Sequence, residues 1–354
     1  MDKPFDILQE YAKFGRDQHV SLQDPETATA FIAHVQDSIH RALSDAGLLH
    51  GQRVEAMFQS LLVSLSGFTL LKVEDGGPVF SDGPKLRAPD LRVVLKDGRH
   101  WLIEVKNVYA EDPSLESQAK ELFNAAYYRS LADYAKATRA ELKVAIFWAR
   151  WQIWTLVSPD RLLGPGGEFQ IDMGTAMKVN EMAALGDRTI ATQAPLTLRL
   201  VGDPEYGGQI GQDGVAPFRT EEVQIFAAGQ QLTDPVEREI ASVLMMYGEW
   251  EVEQENEVEG DQLKALVFVW SPAEQSDLGF DTIGNLSRMF ARYYAGHTVE
   301  DKAIVQLHAP IRPNWFAPLL KWNAKGSKLP LWQFILQPNY DEAADDGHHV
   351  KGAK

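Results

Sequence analysis

The sequence of 354 residues contains no cysteine. That excludes disulfides and thiolate metal sites. No apolar run approaches the ~18–20 residues needed to span a bilayer. The opening MDKPFDILQEYAKFGRD lacks the apolar stretch of a signal peptide, so a cytoplasmic protein is expected, with no membrane partner. There is no G-x-S-x-G elbow, no P-loop, no dinucleotide-binding glycine pattern and no internal repeat. Basic charge is in deficit: 34 Lys and Arg stand against 50 Asp and Glu, a net of −16. Such a balance argues against a general nucleic-acid coat. The deficit is uneven. Residues 1–165 carry 19 basic and 22 acidic side chains, a net of −3, whereas residues 166–354 carry 15 and 28, a net of −13. A local basic face remains open to the first part; the second would repel a phosphate backbone over much of its surface.

What is present reads as a soluble globular chain, 45% hydrophobic and 24% charged, long enough for roughly two domains. Apolar spacing predicts helices over 25–46 and 52–65, then strands at 68–74, 91–95 and 100–109. A long helix is expected over 115–140, followed by apolar strands at 142–149 and 151–157. Residues 166–220 are poorly periodic and read as a loop-rich connector. A second α+β unit over 221–340 is expected from strand 222–228, helix 234–250, strands around 249–259 and 263–270, helix 281–294, and strands near 303–309 and 330–337. The tail 341–354 has little apolar content and is expected to be disordered.

One stretch conflicts with core building: PDLRVVLKDGRHWLIEVK, residues 89–106. It reads as a hairpin, yet it sets two acids and a lysine where apolar residues belong. Side chains alternate along a strand, so Leu102, Glu104 and Lys106 share one face, opposite Trp101, Ile103 and Val105. The turn decides where Asp90 falls. A two-residue Asp97-Gly98 loop pairs Asp90 with Val105. A three-residue Lys96-Asp97-Gly98 loop, with Gly98 left-handed, sets Asp90 across from Glu104. Both loops suit the sequence, but only the second, or a compensating bulge, lets the acids meet. Two facing carboxylates repel each other and invite a divalent cation. Oxygen ligands alone favour Mg²⁺, Mn²⁺ or Ca²⁺ over Zn²⁺, and Mg²⁺ is the expected cofactor, with Mn²⁺ as a substitute. A water activated there can attack a phosphodiester, and Lys106 can offset charge building on phosphorus.

Pro89-Asp90, a thirteen-residue spacer and Glu104-Val105-Lys106 resemble the PD-(D/E)XK nuclease superfamily, whose restriction-endonuclease-like core runs α-β-β-β-α-β. Residues 52–149 follow that order. The resemblance implies an α/β fold with a central mixed sheet flanked by helices, followed here by the C-terminal α+β domain. It implies Asp90, Glu104 and Lys106 as catalytic residues. It implies Glu55, on the first core helix, with Asp90, Glu104 and Val105 as the metal set. Gln118 and Lys120 become candidate substrate contacts, although the Gln-x-x-x-Tyr signature of some exonuclease branches is not met, since Leu122 follows Gln118. The activity implied is a metal-dependent nuclease, DNA favoured, in prokaryotic restriction, antiviral defence or repair. A homodimer and a protein partner on the C-terminal domain are further expectations. Two rivals stand beside this reading: a catalytically silent scaffold of the same fold whose acidic C-terminal domain binds a protein, and a metallohydrolase of another phosphate ester.

Simpler readings apply elsewhere. Pro159-Asp160 and Glu141-Leu142-Lys143 repeat the letters without the spacing. WARWQIW, 148–154, is expected to be a buried strand pair rather than a base-stacking surface. FARYY, 290–294, is expected to be core. EWEVEQENEVE, 249–259, reads as a solvated acidic strand. His348-His349 is not expected to be a metal site.

Overall fold

The computed structural model describes residues 7–162, 168–206, 208–321 and 327–341. The expectations for the tail beyond 341, including His348-His349, and for most of the loop 164–169 lie outside the described residues. The chain divides into two compact units, residues 1–53 and 54–354.

In the first unit, α1 (Ile7–Gln18) packs on α2 (Pro25–Ser44) through Phe31, whose ring lies 5.3 Å from that of Tyr11 and 5.6 Å from that of Phe14. Asp24 caps α2 by accepting the Glu26 N–H, and Pro25 fills the first helical position, where no donor is needed. The following helix, α3 (Ala46–Leu65), begins in this unit.

The second unit is built on a mixed sheet. Its strands are β1 (Phe68–Val73), β2 (Leu91–Leu95), β3 (His100–Val108) and, after β4 (Ala119–Phe123) and α4 (Ala125–Ala137), β5 (Glu141–Trp148) and β6 (Ile153–Val157). The spatial order is β1-β2-β3-β5-β6, with β3 and β5 parallel and the other neighbours antiparallel. Trp101, Ile103 and Val105 pack with Phe58, Leu61 and Leu62 of α3 on one face. Val144, Ile146 and Trp148 pack with Leu131 of α4 on the other. A central mixed sheet is thus flanked by helices.

The expected helix over 115–140 is half strand. Residues 119–123 pair antiparallel with β7 (Phe169–Asp172), and the helix starts only at Ala125, where Asn124 caps it by accepting the Tyr127 N–H. The helix-forming Ala, Lys, Glu and Leu of 119–122 are overridden by tertiary pairing.

The loop-rich connector is also corrected. After β7 come α5 (Met173–Lys178), β8 (Thr189–Thr192), β9 (Leu196–Gly202) and β10 (Thr220–Ala227). Then follow β11 (Gln230–Gln231), α6 (Pro235–Tyr247), β12 (Glu251–Glu259), β13 (Gln262–Ser271), β14 (Asp281–Asn285), α7 (Leu286–Thr298), β15 (Val299–Glu300), β16 (Ala303–Ile304), α8 (Ala317–Lys321) and β17 (Leu331–Phe334). β9 and β10 lie inside the five-stranded sheet β11-β10-β9-β13-β12, and β8 is the centre of β14-β8-β17. Short strands broken by Gly and Pro carry little periodicity, which is why they read as loop. One apolar cluster runs from Met57 and Phe58 of α3 through Ile240 of α6 and Phe290 and Tyr294 of α7 to Leu331 of β17. Among the described residues, that cluster holds side chains from both sides of residue 165.

Trp148 and Trp154 are buried as core, as are Phe290, Tyr293 and Tyr294. β12 is an edge strand exposed along its whole length.

Candidate active site

The β2–β3 hairpin adopts the three-residue turn. Val94 pairs with His100, the Leu95 N–H donates to the Arg99 carbonyl at 2.9 Å, and Gly98 has φ +87°. A side chain is disfavoured at that φ, so the turn depends on glycine. The register runs on to Leu91 opposite Ile103. Asp90, the next residue, ends against β3, where its Oδ2 accepts the Val105 N–H at 2.6 Å.

Glu104 lies in the middle of β3 and is 2% exposed. Its Oε1 accepts from Lys106 Nζ at 2.5 Å and from the Tyr127 hydroxyl at 2.5 Å. The Lys106 ammonium also lies 5.1 Å from the ring centre of Tyr127 and 5.4 Å from that of Phe123. The β-strand alternation that aims Glu104 and Lys106 to one side therefore points them at the first turn of α4, whose Asn124 cap positions Tyr127.

Electrostatics mark the same place. Burial, then the charge of Glu104, push the Asp90 carboxyl up to about 8, against a smaller downward pull from the Val105 N–H. Burial raises Glu55 on α3 as well, followed by Asp75 and Glu104. Asp75, just past β1, is raised by burial and by Glu104. Burial acts to lower Lys106, but Glu104 outweighs it and the lysine is held above its ordinary value. Burial and Glu104 raise the Tyr127 phenol. The structure thus brings Glu55, Asp90, Glu104 and Lys106 into one electrostatic neighbourhood and adds Asp75 and Tyr127, which the sequence reading missed. Asn124 three residues before Tyr127 was the available signal, since an N-cap there places Tyr127 in the first turn.

Gln118 is elsewhere. It is 0% exposed, and its amide donates to the Ala110 and Asp112 carbonyls and accepts from the Ala110 N–H. It staples the loop after β3 and has no surface to offer a substrate. Lys120 is exposed on β4. Of the repeated letters, Lys143 is buried in an ion pair with Glu181 at 2.8 Å and bonds Ser158, while Glu141 accepts the Trp101 indole N–H. Asp160 pairs with Arg161 at 3.4 Å. Lys143 and Glu141 thus tie neighbouring elements together.

Among the described residues, no three His, Asp or Glu side chains are gathered in a ready metal-holding group, and no helix is long and apolar enough to cross a membrane. No protein-family model matches the chain, and no curated protein matches it. Among solved structures, it is similar to Hjc, a Holliday junction resolvase from the archaeal hyperthermophile Archaeoglobus fulgidus, at 24% identity. That match covers 34% of this chain and 88% of that chain, with a TM-score of 0.26.

Proposed function

We propose that this chain is a divalent-cation-dependent nuclease of the restriction-endonuclease-like fold, hydrolysing phosphodiester bonds, with DNA the favoured substrate. The observation that carries the reading is the burial of Asp90 beside Glu104 with Lys106 as the neighbouring cation. Burying two acids against each other costs folding energy. Perturbed acids grouped this way are typical of a working site.

The donor chemistry fits a hard divalent cation. Asp90 and Glu104 would hold it, with Glu55 and the Val105 carbonyl as further ligands; as the side chains stand, Lys106 and Tyr127 donate to Glu104 Oε1 and the Val105 N–H to Asp90 Oδ2. Once bound, such a cation makes water a better nucleophile and offsets charge on the transferring phosphoryl group.

The chain's own residues divide the remaining work. Lys106, held above its ordinary value by Glu104, stays protonated at neutral pH. It therefore acts as a fixed positive charge facing the phosphorane, not as the base. Tyr127 donates to Glu104 and locks the carboxylate's orientation. The Val105 N–H does the same for Asp90.

The test is incubation of wild type, Lys106→Ala and Asp90→Ala with plasmid, linear and single-stranded DNA in Mg²⁺, Mn²⁺, Ca²⁺ or EDTA. Wild type should cleave in Mg²⁺ or Mn²⁺ and bind without cleaving in Ca²⁺, which orders its ligands loosely. Lys106→Ala should cleave about 10²–10³ more slowly, the usual cost of one well-placed charge. Asp90→Ala should be partly restored by excess Mn²⁺. Robust cleavage in EDTA, or wild-type turnover by Lys106→Ala, would sink the reading.

A further inference from the structure

Residues 75–89 form a loop that leaves β1 and re-enters the sheet at Asp90. Its closure is a hydrogen bond from the Glu74 N–H to the Asp90 carbonyl at 2.8 Å. On the returning limb the Arg87 N–H donates to the Ser130 carbonyl of α4 at 3.1 Å. The Arg87 guanidinium lies 4.5 Å from the ring centre of Tyr127, whose hydroxyl holds Glu104. Both ends of the loop are therefore rooted in the candidate site.

Between those roots stands Phe80. It is 88% exposed, more than any other large apolar side chain among the described residues. Folding ordinarily rewards burial of such a ring, but here an anchored loop carries it into solvent. Phe80 is six residues from Glu74, about 20 Å even along a fully extended chain, and Glu74 is bonded across the sheet to Asp90, so Phe80 lies within about 25 Å of Asp90. That reach equals roughly seven nucleotides at ~3.4 Å per step. Lys85 and Arg87 are exposed on the same loop, as is Asp82, and of the two cations Arg87 is the one held against the site, over Tyr127. An aromatic face with nearby cations suits an unstacked base and its phosphate. In a continuous duplex both faces of each base are occupied by neighbours, so the ring would meet only edges or backbone.

We propose that Phe80 is a base-stacking contact, and that the substrate is nucleic acid with unpaired nucleotides beside the cleaved bond, as in a single strand or a gap. The proposal rests on the nuclease reading and specifies its substrate.

The experiment measures binding in Ca²⁺ by fluorescence anisotropy. The probes are one labelled DNA oligonucleotide as a single strand, as a blunt duplex, and as a duplex with a central gap. The proteins are wild type, Phe80→Ala and Phe80→Trp, with cleavage of the same three probes by wild type in Mg²⁺ measured in parallel. The expected result is a loss of about tenfold or more for Phe80→Ala on the single strand and the gap, a much smaller change on the blunt duplex, and recovery by Phe80→Trp. Thermal unfolding of the variants serves as the folding control, which an exposed side chain should pass. Equal affinities of wild type and Phe80→Ala, or an equal loss on all three probes, overturns the stacking role while cleavage by wild type leaves the nuclease reading standing. A wild type that binds none of the probes and cleaves none overturns both.

Discussion

At the scale of single residues, the site is defined by what it costs. Asp90 sits near 8 in the fold because burial and Glu104 disfavour its charge, whereas in an unfolded chain it titrates near 4. The sign follows. A carboxyl raised by folding is an acid the native state prefers protonated, so its contribution is fully present below the unfolded value and is lost as pH rises towards the folded one. In metal-free protein, Asp90→Asn should therefore raise the melting temperature at pH 8, and by clearly less at pH 5. Thermal unfolding in EDTA at the two pH values checks this. An equal change at both would mean that Asp90 is not held up by its surroundings. A cation bound there must displace that proton, so Mg²⁺ affinity should tighten between pH 6 and 8 with proton release.

At the scale of elements, Glu74 is the counterpart of Asp90 with the opposite sign: its surroundings hold it charged. Its carboxylate accepts from Arg92 on β2 at 2.6 Å and from Tyr134 on α4 at 2.7 Å, joining β1, β2 and the helix that carries Tyr127. The Arg92 hydrogen bond is the main reason the carboxyl is lowered to about 2. Its stabilisation is present above the unfolded value near 4.3 and is lost as pH falls towards 2. Glu74→Gln should cost about 1–3 kcal/mol at pH 7, the range for breaking a buried charged hydrogen bond, and should flatten the acid limb of the stability curve. Urea melts at pH 7 and pH 3 provide the measurement, and a constant difference between the two would exclude the proposed linkage. The hairpin itself was legible in the sequence from its period-two alternation, but its register was not: both turns suit Asp97-Gly98, and only the need for the two acids to meet favoured the three-residue one. The network around Glu74 was not legible. It joins residues 74, 92 and 134, and no local pattern reports which helix turn lies over which strand. Tyr127 escaped for a related reason: helix-forming residues before Asn124 hid the true start of α4, which pairing of β4 with β7 decides.

At the scale of the whole molecule, the chain order of the elements from α2 to β6 could be read from the sequence, β4 excepted, while the division of the rest could not. Hydrophobic periodicity locates long elements well, but β7 to β9 are four to seven residues each, and their partners are distant or not yet met: β4 for β7, later strands for β8 and β9. The consequence is a shared core. Trp154 and Leu156 of β6 belong to the same apolar cluster as Leu286, Phe290 and Tyr294 of α7, and α7 packs against β6. Ending the chain at residue 165 would strip that cover from the sheet and leave a large apolar face in water, at about 25 cal/mol for each Å² uncovered. The −13 charge of residues 166–354 disfavours phosphate, yet the β1-β2-β3-β5-β6 sheet shares its apolar core with them. A fragment of residues 1–165 is therefore expected to lack a cooperative thermal transition and to bind a hydrophobic dye. A chain beginning at Ala46, which keeps α3 whole, is expected to unfold cooperatively. Circular dichroism melts of the two fragments decide the matter: a cooperative, dye-free melt of residues 1–165 would show that the sheet and its two helices stand alone, and that the shared core is an accident of docking.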